Sequence, residues 1–183
     1  GISRETGLVE GWGAEGPKVA WETEAGTGYA GLVVAEGRLF AFFRDPDAGK
    51  DVLVAHDAAT GRVLWRSEGS GKGFSEQYEG TRATPWVEGG RVFTYGGDGE
   101  LAARDVATGE VRCTVNVMEE AGSASNLSWG VSSSPLVDEW RVVVQAGVGG
   151  HVAIAVDAKT GAVVWKSEAK GKRKRRSDVV KCI

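Results

Sequence analysis

The chain has 183 residues, a formal net charge of −3, 28 glycines, 7 tryptophans and a single methionine. That length suits one domain with a sizeable core, and the glycine-rich, Trp-rich composition favours short strands and many turns over a helical bundle. No apolar run approaches the length of a bilayer-spanning helix, and seven basic residues against one acidic from Lys170 onward leave an acidic body, which argues against nucleic acid as its partner.

The first element in chain order is Gly16-Pro17-Lys18-Val19-Ala20-Trp21, which reads as a strand (16–21) ending in Trp. Its companion strands are absent, as for an orphan strand that closes a ring. A first four-stranded unit spans about 26–68: an inner strand at Tyr29–Val34, a turn at Glu36-Gly37, then Arg38–Phe43. A loop with Pro46, Asp47 and Gly49 leads into Val52–His56, followed by a last strand carrying Trp65. A Gly/Ser-rich connection (69–80) leads to a second unit, 80–117, with strands at Arg82–Val87, Arg91–Tyr95, Leu101–Asp105 and Val111–Val117. Asp98-Gly99 there is a two-residue hairpin signal. Met118–Ala121 is predicted to make one helical turn inside the insertion 118–130. A third unit, 129–168, runs through Ser132–Val137, Arg141–Val144 and His151–Ala155 to Trp165. From 169 to 183 the pattern stops, and this basic segment is expected to be disordered.

One stretch recurs in all three units. Asp57-Ala58-Ala59-Thr60-Gly61 precedes Trp65, Asp105-Val106-Ala107-Thr108-Gly109 precedes Cys113, and Asp157-Ala158-Lys159-Thr160-Gly161 precedes Trp165. Asp and Thr side chains bond to backbone N–H groups just downstream, and Gly supplies positive φ at the end of the turn. The spacing of about 50 residues suits a four-stranded propeller blade. A Trp at a fixed place in each blade is suited to docking on the next one, and truncating such a residue in a core costs roughly 3–5 kcal/mol. The expected fold is therefore all-β: three propeller blades plus one N-terminal strand, an incomplete ring. Cys113 replaces the docking Trp and predicts a weaker or repacked junction.

The Asp-x-x-Thr-Gly-x-x-x-Trp unit resembles the repeat of pyrroloquinoline-quinone-like (PQQ-like) β-propellers. Gly80-Thr81-Arg82-Ala83-Thr84-Pro85, Gly97-Asp98-Gly99-Glu100-Leu101 and Trp129-Gly130 with Ser132, Ser134 and Pro135 are similar to bacterial repeat proteins related to the outer-membrane assembly lipoprotein. The resemblance implies a ring of seven or eight blades, so the chain is expected to be part of a larger exported protein, periplasmic or secreted. It implies a non-catalytic scaffold or protein-interaction module. The alternatives are a piece of a quinoprotein oxidoreductase or a carbohydrate- or polymer-binding envelope propeller. Quinoproteins of this fold hold PQQ beside calcium. This chain has no adjacent cysteines and no calcium-loop spacing, so no resident cofactor is expected, PQQ with calcium entering only in a complete ring.

The remaining candidates divide by chemistry. Asp57, Asp105 and Asp157 are committed to turns, so no catalytic Asp can be picked among them. His56 aligns with Arg104 and Val156, a position tolerant enough to be a surface or interblade site. His151 has no partner His or Cys nearby in sequence, and no metal site is expected. Ser132 to Ser134 lack a glycine elbow and a matched His. Cys113 and Cys182 carry no pairing signal. A binding surface is placed instead at the mouth of the central channel. Tyr29, Arg82 and Ser132 share one repeat position there, with Glu79 and Trp129 in the loops just upstream. The partner expected is a protein or peptide, or a second copy of the chain completing the ring.

Overall fold

The computed structural model describes residues 6–7, 11–70, 79–123 and 127–168. Its framework is three separate four-stranded antiparallel sheets, each built from strands consecutive in sequence. The first contains β1 (Val33–Ala35), β2 (Arg38–Asp45), β3 (Lys50–Asp57) and β4 (Val63–Glu68). The second contains β5 (Trp86–Glu88), β6 (Arg91–Tyr95), β7 (Glu100–Asp105) and β8 (Val111–Asn116). A single turn of helix, α1 (Val117–Glu120), follows, and the third sheet contains β9 (Leu136–Asp138), β10 (Arg141–Val148), β11 (His151–Asp157) and β12 (Val163–Glu168). These sheets are the three propeller blades. The basic segment 169–183 lies outside the described residues, as do 71–78 of the connection between the first two blades.

The recurring turn joins the third strand of each blade to the outermost one. Asp57 Oδ1 accepts from the Ala59 and Thr60 N–H groups at 3.2 and 2.9 Å and from Thr60 Oγ1 at 2.8 Å. Asp157 Oδ1 repeats all three bonds and Asp105 Oδ1 the two backbone ones. Gly61, Gly109 and Gly161 close the turns at φ 74, 74 and 73°, the left-handed region that favours glycine. A register shift falls at the same place in each blade, between Ala55 and His56, Ala103 and Arg104, and Ala155 and Val156. It re-aims the outer strand just before the turn.

The first two turns each receive a Trp from the segment before them, and the third receives Cys113. Trp65 Nε1 donates to Val106 O at 3.0 Å, and a Cβ added to Gly109 would lie 2.5 Å from the Trp65 ring. Trp21 repeats this on the first blade: its Nε1 donates to Ala58 O at 3.0 Å, and its ring would lie 2.6 Å from a Cβ on Gly61. Glycine is thus required twice at these positions, by backbone conformation and by the indole above it. The segment 16–21, expected as a strand, makes no ladder among the described residues. A strand needs a neighbour to pair with, and none of the strands among the described residues pairs with it, but Trp21 still docks on the first blade as Trp65 docks on the second.

The inner strands are shorter than the sequence predicts. They begin at Val33, Trp86 and Leu136; in the second and third blades Pro85 and Pro135, just before the strand, have no N–H to donate to a ladder. Residues before β1 tie the blades together instead. Thr27 bridges to Arg44 within the first blade, while Gly28 bridges to Thr81 of the second and the N–H groups of Tyr29 and Ala30 both reach Thr81 O at 2.6 and 3.1 Å. The expected helical turn forms as α1, capped by Asn116, whose side chain accepts from Met118 N and Glu119 N.

Apolar side chains fill the space between blades. Phe40, Phe42, Leu53 and Ala55 of the first blade meet Val92 and Val106 of the second. Phe93, Tyr95, Leu101 and Ala103 on the second blade's other face join Val142, Val144, Ile154 and Val156 of the third, with Val117 and Met118 of α1. The far face of the third blade is open: Leu136 and Trp165 are exposed. Replacing Trp65 by Ala should therefore lower unfolding free energy by about 2–4 kcal/mol. The same change at Trp165 should cost less than about 1 kcal/mol. Urea titrations of the two variants compare them directly, and equal losses would refute docking as the role of Trp65.

Candidate functional site

At the inner edge the blades are linked by a chain of hydroxyl contacts. The Gly31 N–H donates to Thr84 Oγ1 at 2.9 Å, and the Thr84 N–H donates to Ser134 Oγ at 3.0 Å. Residues 31, 84 and 134 each precede the first residue of an inner-strand motif (Leu32, Pro85, Pro135), so one repeat position carries one blade-to-blade bond. Ser134 thereby serves as an acceptor in the scaffold. Thr81 is fully buried, and its Oγ1 donates to Phe42 O at 2.5 Å, fixing the start of the second blade against the first.

That fixed backbone presents Tyr29 and Arg82 together. The Arg82 guanidinium carbon lies 5.9 Å from the centre of the Tyr29 ring, within cation–π range. Tyr29 is 64% exposed, so its other face is open to solvent. Trp129, 63% exposed, and Ser132 stand on the segment entering β9, and Glu79 stands on the segment entering β5; all three are at the surface. Of the five residues predicted at the channel mouth, Tyr29 and Arg82 form a contacting pair.

A second polar group is buried between the first two blades, and the sequence gives only an indirect sign of it. Arg104 is 1% exposed. Its Nε donates to Ser67 Oγ at 3.0 Å, Nη1 to Thr94 Oγ1 at 2.7 Å, and Nη2 to Glu68 O at 3.1 Å. It thus binds the outer strand of the first blade to the second. Burial pulls its pKa down, opposed by Glu100. Nearby, Arg44 Nη1 pairs with Asp51 Oδ1 at 3.2 Å, both side chains being about nine-tenths buried. Burial raises the Asp51 carboxyl to about 6 against the pull of Arg44, with Asp98 and Glu100 adding to the rise. The clue in the sequence is the repeat position shared by His56, Arg104 and Val156, all three of which are buried at blade faces.

The histidines are used by the scaffold. His56 Nδ1 lies 3.0 Å from Gly61 O, and its ring stacks on Trp21 with centroids 5.9 Å apart. His151 Nδ1 lies 2.9 Å from Ser167 O. Against a carbonyl each Nδ1 is the donor. The carboxylates of Asp57, Asp105 and Asp157 are each bonded within their own turns and held below the usual carboxylate range by those bonds and, at Asp105, first by Arg112. Among the described residues no three His, Cys, Asp or Glu side chains gather as a ligand set. Among the described residues no helix is long and apolar enough to cross a membrane.

Comparison with known proteins places this geometry. The family described as outer membrane protein assembly factor BamB matches residues 3–128 and 49–181. The dehydrogenase subunit of an alcohol dehydrogenase (quinone) from Gluconacetobacter polyoxogenes is 31% identical over 164 residues, covering 81% of this chain and 21% of that protein. The chain thus spans about a fifth of the length of the curated relatives it matches. The quinohemoprotein alcohol dehydrogenase from Comamonas testosteroni superposes with a TM-score of 0.61 at 25% identity, over 78% of this chain and 21% of that one. BamB from Moraxella catarrhalis superposes with a TM-score of 0.62 at 21% identity, over 85% of this chain and 42% of that one, a likeness of fold.

The buried Asp51 makes stability depend on pH in a defined direction. Its folded pKa of about 6 lies above the ordinary 3.8. The contribution of the protonated form is therefore full below 3.8 and is lost as pH rises through 6. The turn aspartates act oppositely, and their contribution is lost only as pH falls below 3.8. Asp51→Asn keeps an acceptor for Arg44 but cannot ionise. Its stability relative to the parent should rise between pH 4 and pH 7, by at most ~3 kcal/mol. Urea unfolding at several pH values measures this, and a flat difference would mean that Arg44 fully compensates the burial.

Proposed function

Because the chain belongs to the family of the outer membrane protein assembly factor BamB, we propose that it is a non-catalytic propeller module that binds protein or peptide segments at the bacterial envelope, in the periplasm or as an exported protein. The observation that supports this reading is the Tyr29–Arg82 pair, an exposed aromatic face and a guanidinium held together on a backbone clamped from both sides. Tyr and Arg dominate the energetics of protein interfaces, where a rigid ring and a planar fork of donors are anchored at low entropic cost. Exposed Trp129 extends the same chemistry on the segment entering the third blade. Extended peptides offer carbonyl acceptors to Arg82 and apolar side chains to the two rings. The test is fluorescence polarisation with extended peptides from outer-membrane proteins. Arg82→Ala and Tyr29→Ala should each weaken binding about tenfold, near 1.4 kcal/mol, with melting temperature nearly unchanged. A large loss of thermal stability would make Arg82 structural, and undiminished binding would remove the pair from the site.

A second reading rests on the 31% identity to quinone-linked alcohol dehydrogenase subunits. In it the chain contributes three blades to a quinoprotein ring. The two readings separate in one titration: saturable, calcium-dependent quenching of tryptophan fluorescence by PQQ supports the dehydrogenase reading, and no quenching with peptide binding retained supports the interaction module.

A further inference from the structure

One row of cross-strand neighbours repeats in all three sheets. It is Val33, Phe40, Ala55 and Trp65 in the first blade. It is Trp86, Phe93, Ala103 and Cys113 in the second and Leu136, Val143, Ala155 and Trp165 in the third. The first row packs on the second blade and the second row on the third. Phe40 and Phe93 are accordingly 0% and 2% exposed, whereas Leu136 is 52% and Trp165 38% exposed. Trp165 thus holds the place of Trp65 with no turn of a following blade beneath it among the described residues.

The surface that such a row requires exists at the other end of the arc. The first blade's turn offers Gly61 at φ 74° and the Ala58 carbonyl. Its Ala58 N–H donates inward to Gly37 O at 3.0 Å, as the Val106 N–H does to Gly90 O at 3.1 Å beneath Trp65. The ring on this turn is Trp21, which also stacks on His56, and its segment pairs with no strand among the described residues. The ring site is therefore held without a sheet behind it. The second blade lies between the first and the third, so Trp165 cannot reach this turn in its own molecule. It can reach the same turn in another.

We propose that the outer row of the third blade docks on the first blade of a second copy of this chain, Trp165 replacing Trp21 on Gly61 and donating its N–H to the Ala58 carbonyl oxygen. The blade-to-blade interface inside the chain is thereby continued between chains. Trp21 is an internal competitor, so the chain is monomeric when dilute and associates as its concentration rises. A four-stranded blade covers more apolar surface than one unpaired segment, which favours the exchange. The proposal is independent of the function assigned to the channel mouth.

Sedimentation equilibrium of the 183-residue chain across a concentration series tests it, in reducing buffer and high salt so that neither thiols nor the basic tail contribute. The parent should gain mass reversibly with concentration. Trp165→Ala should weaken association at least about tenfold, with the melting temperature of the dilute protein unchanged. Trp165→Phe, a ring without the N–H, should associate at an intermediate strength. Trp21→Ala should strengthen association several-fold. Should that variant fold poorly, an excess of a synthetic peptide spanning 16–25 should instead dissociate the assembled parent. A parent that stays monomeric at every concentration, or association undiminished by Trp165→Ala, would overturn the interface. Association that neither strengthens in a folded Trp21→Ala variant nor yields to the peptide would overturn the exchange of rings.

Discussion

The structure depends on one recurring contact: an indole from one blade lying on a glycine of the next and donating to the carbonyl beside it. The turn that supplies both features is self-contained. An Asp carboxylate satisfies the downstream N–H groups, glycine adopts positive φ, and the residue after Asp turns its carbonyl toward the neighbouring blade. No blade has to be preformed by its neighbour to present this surface. Once presented, it accepts a ring whose burial stabilises the pair by more than any single hydrogen bond in the same interface. The sheets then stack, with β-branched and aromatic side chains filling the wedge between them.

The two sheet-to-sheet junctions solve the same packing problem with different chemistry. Between the first and second blades, apolar contacts are supplemented by Arg104, whose three bonds reach Ser67, Thr94 and the Glu68 carbonyl, and by Thr81 bonding back to Phe42. Between the second and third, the core is larger and more apolar, with α1 sealing one end and the Tyr95 hydroxyl donating to Gln145 O at 3.0 Å. The first junction is specified by direction and donor count, the second by volume. A volume-specified junction can carry Cys113 at the Trp position, in ordinary contact with the Gly161 turn; a junction built on a buried guanidinium tolerates no comparable deletion, because its polar partners would lose their donors.

Much of this was legible because the governing residues are local. Asp-x-x-Thr-Gly announces its turn within five residues, and the outer strand with its Trp follows at fixed distance, so blade number and order could be read directly. The sequence over-extends the inner strands of the second and third blades, since residues such as Ser132 to Ser134 continue the strand pattern but precede a proline that cannot join the ladder. Segment 16–21 has strand character, but pairing is a property of two segments, and no strand among the described residues pairs with it. Tyr29, Arg82, Ser132, Glu79 and Trp129 are expected at a channel mouth from the internal repeat alignment alone. That Tyr29 and Arg82 touch, while Arg104 at the position shared with His56 and Val156 is buried against the first blade, depends on how the blades pack, which no local pattern encodes. Asp51 gave no signal: its environment comes from Arg44 across a hairpin and from Asp98 and Glu100 on another blade.

The glycine under each indole also ties distant positions together in heredity. Any side chain at Gly61 or Gly109 would collide with a ring supplied by the preceding blade, so these glycines are constrained for as long as that ring persists. Where Cys113 has taken the place of Trp, Gly161 is released from the collision and keeps only its backbone requirement. Freedom to vary therefore passes along the arc in one direction, from the outer strand of one blade to the turn of the next. Substitutions at the two sites should be accepted in that order through descent, the ring first and the glycine second.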